Sequence, residues 1–223
     1  MRAVLFDFDG VLVDSEPLHF RAMRDALLSE GFTIGEEEYW RHLLAHDDRT
    51  AIRIALERHG VAYDGARIEA VTRRKAEAFE RVLADIPFLP GARELVLALS
   101  REVPLAIASG ARRLEIEAVL KAGGLRDAFA AVVGIDDVSR GKPDPEPYLT
   151  AMRRLDGRVP GLLPAECLVV EDSCTGILAG LAAGMKVLAV TNSFPAAKLA
   201  AAHRIVDSLQ GLDSAGLRQI FAA

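Results

Sequence analysis

Apolar and polar positions change rhythm along the chain, and the changes divide it. It opens on an unbroken apolar run, Ala3-Val4-Leu5-Phe6, as in a strand buried on both faces. From Pro17 to about Leu83 apolar residues recur instead at helical spacing amid many charges, as in Ala22, Met23, Ala26 and Leu27. Turn signals at Gly31, Gly35, Gly60 and Asp64-Gly65 divide this block into about four short helices, and nothing in it reads as a buried parallel strand. From Pro87 the two patterns alternate. Helices are predicted over 93–100, 114–122, 147–155 and 176–183, and strands over 104–108, 131–134, 167–170 and 186–190. Strands alternating with helices predict βαβ units, hence an α/β chain with a parallel sheet. The helical block (16–83) is an insertion after the first strand of a core made of 1–15 and 84–223.

Composition narrows the class. The chain has 223 residues, enough for a core with a smaller insertion, and 51% of them are hydrophobic. A net charge of −5 leaves no electrostatic footprint for nucleic acid, although a few basic groups and a metal still suit a small anion. Cys167 and Cys174 are the only cysteines, too few for a disulfide framework and without zinc-site spacing. The apolar run before Asp7 is shorter than a signal peptide's hydrophobic region, and the uncharged stretch Ser173–Met185 is shorter than the ~18 residues of a membrane span. A soluble, cytoplasmic protein without a membrane partner is expected, with a monomer as the simplest state.

Candidate chemistry lies where the predicted strands stop. The first runs into Asp7-Phe8-Asp9-Gly10, and strand alternation lets Asp7 and Asp9 lean to the same side. The carboxyl end of a strand in an open α/β sheet is where ligands bind, and paired carboxylates there can hold a divalent cation or divide nucleophile and acid/base roles. The second strand ends in Ser109-Gly110, a hydroxyl and backbone N–H suited to an anion's oxygens, with Arg112 and Arg113 following at a helix start. Next, Gly141-Lys142-Pro143-Asp144-Pro145 holds a lysine in a proline-stiffened loop. The strand 167–170 runs into Glu171-Asp172-Ser173, acids that burial makes costly unless paired, coordinated or solvated.

These four segments, in this order, resemble the four motifs of the haloacid dehalogenase-like hydrolase superfamily. The phrase Asp14-Ser15-Glu16-Pro17-Leu18-His19 and the position of the insert resemble its subgroup with a helical cap, which contains β-phosphoglucomutase and phosphoglycolate phosphatase. The resemblance implies a Rossmann-like core with an inserted α-helical cap. It implies Asp7 as nucleophile, Asp9 as general acid/base, and Ser109 and Lys142 as holders of the transferred phosphoryl group. It also implies Mg²⁺ on Asp7, the main-chain carbonyl of Asp9 and Asp172, with Glu171 assisting directly or through water. The implied substrate is a small phosphorylated metabolite. Ser15, His19, Arg49, Lys75, Gly110, Arg112 and Arg113 are its candidate binding residues.

Departures from the family's patterns discriminate among its chemistries. Dehalogenases and phosphonate hydrolases of this kind lack the second aspartate of the first motif, which is present here as Asp9; the phosphonate hydrolases also use a cap lysine, and no lysine precedes Lys75. Ser15, His19 and Lys75 match positions of the phosphomutase, so a sugar phosphomutase is the alternative. Against it stand Leu44 and Ala45 where the mutase has lysine and glycine, Ala76 where it has asparagine, and a different segment after Ser109. Arg49, Arg112 or Arg113 remain as substitute anchors for a second phosphate. A non-catalytic binding protein on the same fold would be expected to have lost Asp7, Asp9, Lys142 or Asp172, and all four are present. A Mg²⁺-dependent phosphatase working through an aspartyl-phosphate is the expectation.

Overall fold

A computed structural model describes residues 1–44 and 46–222, apart from the side chain of Ala84. The chain separates into two compact units, one of Met1–Asp14 with everything from Pro87 onward, the other Ser15–Ile86.

The first unit is built on a six-stranded parallel sheet with strands β1 (Ala3–Phe6), β2 (Leu105–Ala108), β3 (Phe129–Val133), β4 (Cys167–Glu171), β5 (Lys186–Val190) and β6 (Arg204–Val206). Their spatial order is β3-β2-β1-β4-β5-β6, a doubly wound arrangement that reverses beside β1. All four residues of β1 are fully buried, as its apolar run requires of a central strand covered on both faces. Register pairs Phe6 with Ile107 on one side and with Val170 on the other, so the ends of β1, β2 and β4 lie level.

The second unit is helical throughout its described elements: α1 (Glu16–Leu28), α2 (Glu36–Glu38) running into a π-turn over Tyr39–Leu43, α3 (Asp48–Arg58), α4 (Gly65–Val82) and a 3₁₀ turn over Leu83–Asp85. Sequence signals explain the limits. Pro17 sits in the first turn of α1, Asp47 caps α3 by accepting from the N–H groups of Arg49 and Thr50, and Asp64 caps α4 by accepting from Arg67. The apolar stripes meet in one cluster that includes Met23, Leu27, Tyr39, Leu43, Ile52, Leu56 and Val71.

The helices flanking the sheet of the first unit are α5 (Ala92–Leu99), α6 (Arg113–Ala122), α7 (Glu146–Arg154), α8 (Cys174–Ala182) and α9 (Ser214–Ala222). Leu5, Ala106, Val133 and Val169 of the sheet share a buried cluster with Tyr148 and Ala151 of α7, with Leu155 just past its end, and with Ile177 and Ala179 of α8. The prediction missed β6, a three-residue strand too short to carry a period, and α9. No helix among the described residues is long and apolar enough to cross a membrane.

Candidate active site

The end of β1 delivers Asp7. Its N–H donates to the Val170 carbonyl at 2.9 Å, extending the ladder by one residue, and its side chain is almost buried. The chain then turns tightly: the N–H groups of Leu12 and Val13 donate to the Phe8 carbonyl, and Gly10 lies in left-handed backbone at φ +72°. Glycine is required there for a second reason, since a Cβ would fall 1.9 Å from Oδ2 of Asp172. The first and last motif segments therefore press directly against each other.

Lys142 is the electrostatic centre of the site. Its Nζ lies 2.9 Å from Oδ1 of Asp7 and 2.6 Å from Oε1 of Glu171, and 4.9 Å from the ring centroid of Tyr148. The loop carrying it is stitched in place, Glu146 accepting from the N–H groups of Ser139 and Arg140, and Asp144 accepting from the N–H of Glu146. Glu171, fully buried, accepts from five donors. Oε1 takes Lys142 and the Tyr148 hydroxyl at 2.8 Å; Oε2 takes the N–H groups of Asp172 and Ser173 and the Ser173 hydroxyl. A Cβ on Gly176 would lie 1.6 Å from Oε1 of Glu171, so this helix start fits the carboxylate only as glycine. Ser173 also caps α8 by accepting from the Gly176 N–H.

Asp7, Glu171 and Asp172 each offer an oxygen within 4.8 Å of the other two. Burial, with Glu171 and Asp172 nearby, pushes the Asp7 carboxyl well above the ordinary carboxylate range despite Lys142. Burial and the charge of Glu171 push Asp172 up to about 6, against the hydrogen bond donated by Ser193. Burial acts to raise Glu171, but Lys142 together with the hydrogen bonds from Tyr148 and the Ser173 N–H holds it below its ordinary value; Lys142 is raised, its own burial being offset by Asp7 and Glu171. Three converging carboxylates face one ammonium, and Oδ1 of Asp7 is buried with only that ion pair and no well-formed hydrogen bond. A hard divalent cation fits this oxygen donor set and its surplus negative charge.

A cavity of about 350 Å³ opens over Asp7 and Lys142, lined also by Asp9, Ser109, Gly110 and Thr175 among others. Ser109 is buried at the end of β2, where its N–H donates to Val133 and its hydroxyl accepts from the N–H of Ala111. Five of the residues predicted as catalytic or metal-binding, Asp7, Ser109, Lys142, Glu171 and Asp172, are thus assembled in the first unit, together with Gly110. Asp9 joins them at the cavity, but its carboxylate is not in the trio of converging acids. The exposed Arg113 ion-pairs with Asp137 at 3.5 Å, and the Arg112 N–H donates to Glu115.

The predicted binding residues Ser15, His19, Arg49 and Lys75 belong to the helical unit. Lys75 is buried, its Nζ 2.8 Å from Nδ1 of His19 and 2.9 Å from Asp48, while the His19 ring stacks on Phe79 at 4.0 Å. An ammonium donating to Nδ1 makes that nitrogen the acceptor and puts the imidazole proton on Nε2. Burial and Lys75 lower the His19 pKa to about 4. Arg49 is exposed and paired with Glu69, Ser15 is buried, Leu44 and Ala76 are exposed, and Ala45 lies outside the described residues.

A haloacid dehalogenase-like hydrolase family model matches residues 1–184. The chain belongs to that family. It is 34% identical over 188 residues to the phosphorylated carbohydrates phosphatase of Thermotoga maritima, covering 83% of each chain. To hexitol phosphatase B of Escherichia coli it is 35% identical over 191 residues, covering 84% of this chain and 82% of the relative. The crystal structure of CbbY from Rhodobacter sphaeroides in complex with phosphate superposes with a TM-score of 0.78 at 30% identity, over 98% of this chain and 99% of that one. Membership and relatives together make this chain a phosphoric monoester hydrolase.

Four residues of the site escaped the sequence reading: Tyr148, Gly176, Asn192 and Ser193. Asn192 donates from Nδ2 to the Gly10 carbonyl at 2.8 Å, and the Ser193 hydroxyl donates to Oδ2 of Asp172. Both stand just beyond β5, so polar residues ending an apolar strand were a signal there as well.

Proposed function

We propose that this phosphatase hydrolyses a small phosphorylated carbohydrate through an aspartyl-phosphate on Asp7, with residues 16–83 as its cap and Mg²⁺ as the cation. The observation that carries the reading is Lys142 held between Asp7 and the buried Glu171 at the cavity that Ser109 also lines. An oxygen of Asp7 attacks phosphorus as the bond to the leaving oxygen breaks, and Asp9 gives that oxygen its proton. Water, losing a proton to Asp9, then attacks the phosphorus of the acyl-phosphate. Inorganic phosphate leaves and Asp7 is regenerated. Lys142 and Ser109 hold the equatorial oxygens during both transfers, and Lys142 favours the ionised form of Asp7 that burial opposes. Asp7 and Asp172, beside Glu171, would hold Mg²⁺, which when bound neutralises charge between carboxylate and phosphate.

The substrate class comes from the phosphorylated carbohydrates and hexitols that the relatives' names carry. Hydrolysis rather than transfer to a second hydroxyl is supported by Lys75, whose ammonium is engaged by Asp48 and His19 instead of offering a second phosphate anchor. Phosphate release is to be screened with Mg²⁺ over sugar, sugar-alcohol and nucleotide monophosphates, with Asp7→Asn as the blank. Hydrolysis confined to carbohydrate phosphates is expected. Preference for nucleotides would overturn the substrate class. Conversion of β-glucose 1-phosphate to glucose 6-phosphate without phosphate release would overturn the phosphatase assignment.

A further inference from the structure

Asp7, Ser109 and Glu171-Asp172 stand at the ends of β1, β2 and β4, and Lys142 lies on the loop after β3, whereas no motif of the sequence analysis lies at the end of β5. Its carboxyl end nonetheless runs straight into Thr191, Asn192 and Ser193. Two adjacent, solvent-exposed side chains of this segment turn inward to different partners. Asn192 reaches the Gly10 carbonyl, one residue beyond Asp9, and Ser193 reaches the Asp172 carboxylate. Exposed polar side chains ordinarily satisfy themselves with water, so two neighbours engaged on the ends of two other strands form a joint. Gly10 lies at its centre: a Cβ there would be 1.9 Å from Oδ2 of Asp172 and 2.7 Å from Oγ of Ser193. The segment is braced from behind, the Thr191 N–H donating to the Val206 carbonyl at 3.0 Å and its hydroxyl to Asp207 at 3.3 Å.

We infer that Asn192 and Ser193 are positioning residues, Ser193 fixing the orientation in which Asp172 presents its carboxylate to the cation and Asn192 fixing the turn that carries Asp9. This rests on the Mg²⁺-dependent reading proposed above. Neither residue touches the reacting phosphoryl group. Each removes a freedom that the site cannot leave to solvent. The Asp172 carboxylate would otherwise rotate, and the glycine-containing turn after Asp7 would otherwise lack a tether on its solvent side. Partners that orient a metal ligand typically matter ~10- to 100-fold in metal affinity or activity.

The test is calorimetric titration of Mg²⁺ alone into metal-stripped protein, for wild type, Ser193→Ala, Ser193→Thr and Asn192→Ala, followed by steady-state kinetics at saturating Mg²⁺. Ser193→Ala is expected to weaken Mg²⁺ binding about tenfold or more. Ser193→Thr, which keeps the hydroxyl, should bind within about threefold of wild type and so separate orientation from mere packing. Asn192→Ala should lower kcat about tenfold with KM for the phosphorylated substrate unchanged. Wild-type affinity in Ser193→Ala, or a loss in Asn192→Ala that falls on KM alone, overturns the inference while leaving the phosphatase reading intact. Failure of wild type itself to bind Mg²⁺ removes that reading and this inference with it.

Discussion

Replacing Lys142 by methionine tests whether one ammonium holds the acidic cluster together. The side chain is 11% exposed, that of Asp7 12% and that of Glu171 fully buried, so solvent screens the pairs little. Methionine keeps the length and most of the apolar stem, so the change is chiefly one of charge. Breaking a buried ion pair by removing one partner costs about 3 to 5 kcal/mol, because the other charge stays buried and unpaired. For a chain of this length ~1 kcal/mol moves the melting temperature by about 2 to 4 °C, so a drop near 10 °C is expected in metal-free buffer. Asp7 limits the loss by taking up a proton. Its folded-state pKa is already raised, and without Lys142 it rises further. A carboxyl whose folded pKa exceeds its unfolded value lowers stability as pH climbs above the unfolded value, and the cost is relieved as pH falls. The melting deficit of the variant against wild type is therefore larger at pH 8 than at pH 5. Scanning fluorimetry across that range reads it directly, and phosphate release should fall at least ~100-fold, as for loss of a group holding developing charge. A deficit under 2 °C at pH 8, or one that grows toward pH 5, would refute the assignment of Lys142 as the neutralising group.

Three further outcomes follow from neighbouring contacts. Asp172→Asn removes a charge whose pKa is raised to about 6 by burial and Glu171, a penalty present above that pH; at pH 7.5 it should stabilise metal-free protein by about 1 to 3 kcal/mol, abolish the Mg²⁺-induced rise in melting temperature and abolish activity. Gly176→Ala improves helix propensity by about 1 kcal/mol, yet its Cβ would collide with Glu171; a lower melting temperature and lost activity are expected, and a higher melting temperature would show that the carboxylate has room. His19 is kept neutral in the folded state by burial and by Lys75, with a pKa of about 4 against 6.5, so wild type should lose at most about 3 kcal/mol as pH falls from 6.5 to 4; His19→Gln should flatten that slope in urea melts taken at several pH values, and equal slopes would exclude His19 as its source.

The sheet was legible because burial on both faces writes unbroken apolar runs into the sequence, and β1, β4 and β5 begin where those runs predict. Limits elsewhere moved by one to two residues, as with β3, which starts at Phe129 rather than Ala131. The strand β6 was illegible for a physical reason: Arg204–Val206 is half-exposed at the sheet's edge, so it need not be apolar. Acidic, hydroxyl and lysine residues stood out at strand ends because charge is costly beside an apolar core. Tyr148 did not, since a fully buried tyrosine within the stripe of α7 reads as core until its hydroxyl is seen on Glu171. Gly176 was hidden likewise, its need arising from a side chain that packs against its backbone.

What spacing could not reveal is how three clustered carboxylates differ. Glu171 has both oxygens occupied by five donors and stays ionised, so its charge serves first to seat Lys142 and the start of α8. Asp7 and Asp172 have fewer partners and raised pKa values; they are the oxygens with unmet demand for positive charge. That asymmetry assigns the work. On the proposed mechanism the best-satisfied acid would position the ammonium, the two less-satisfied acids would attract the cation, and Asp7 would keep a lone pair to spend on phosphorus. Glu171→Gln should accordingly harm Lys142 placement and folding more than cation affinity, with Asp172→Asn doing the reverse.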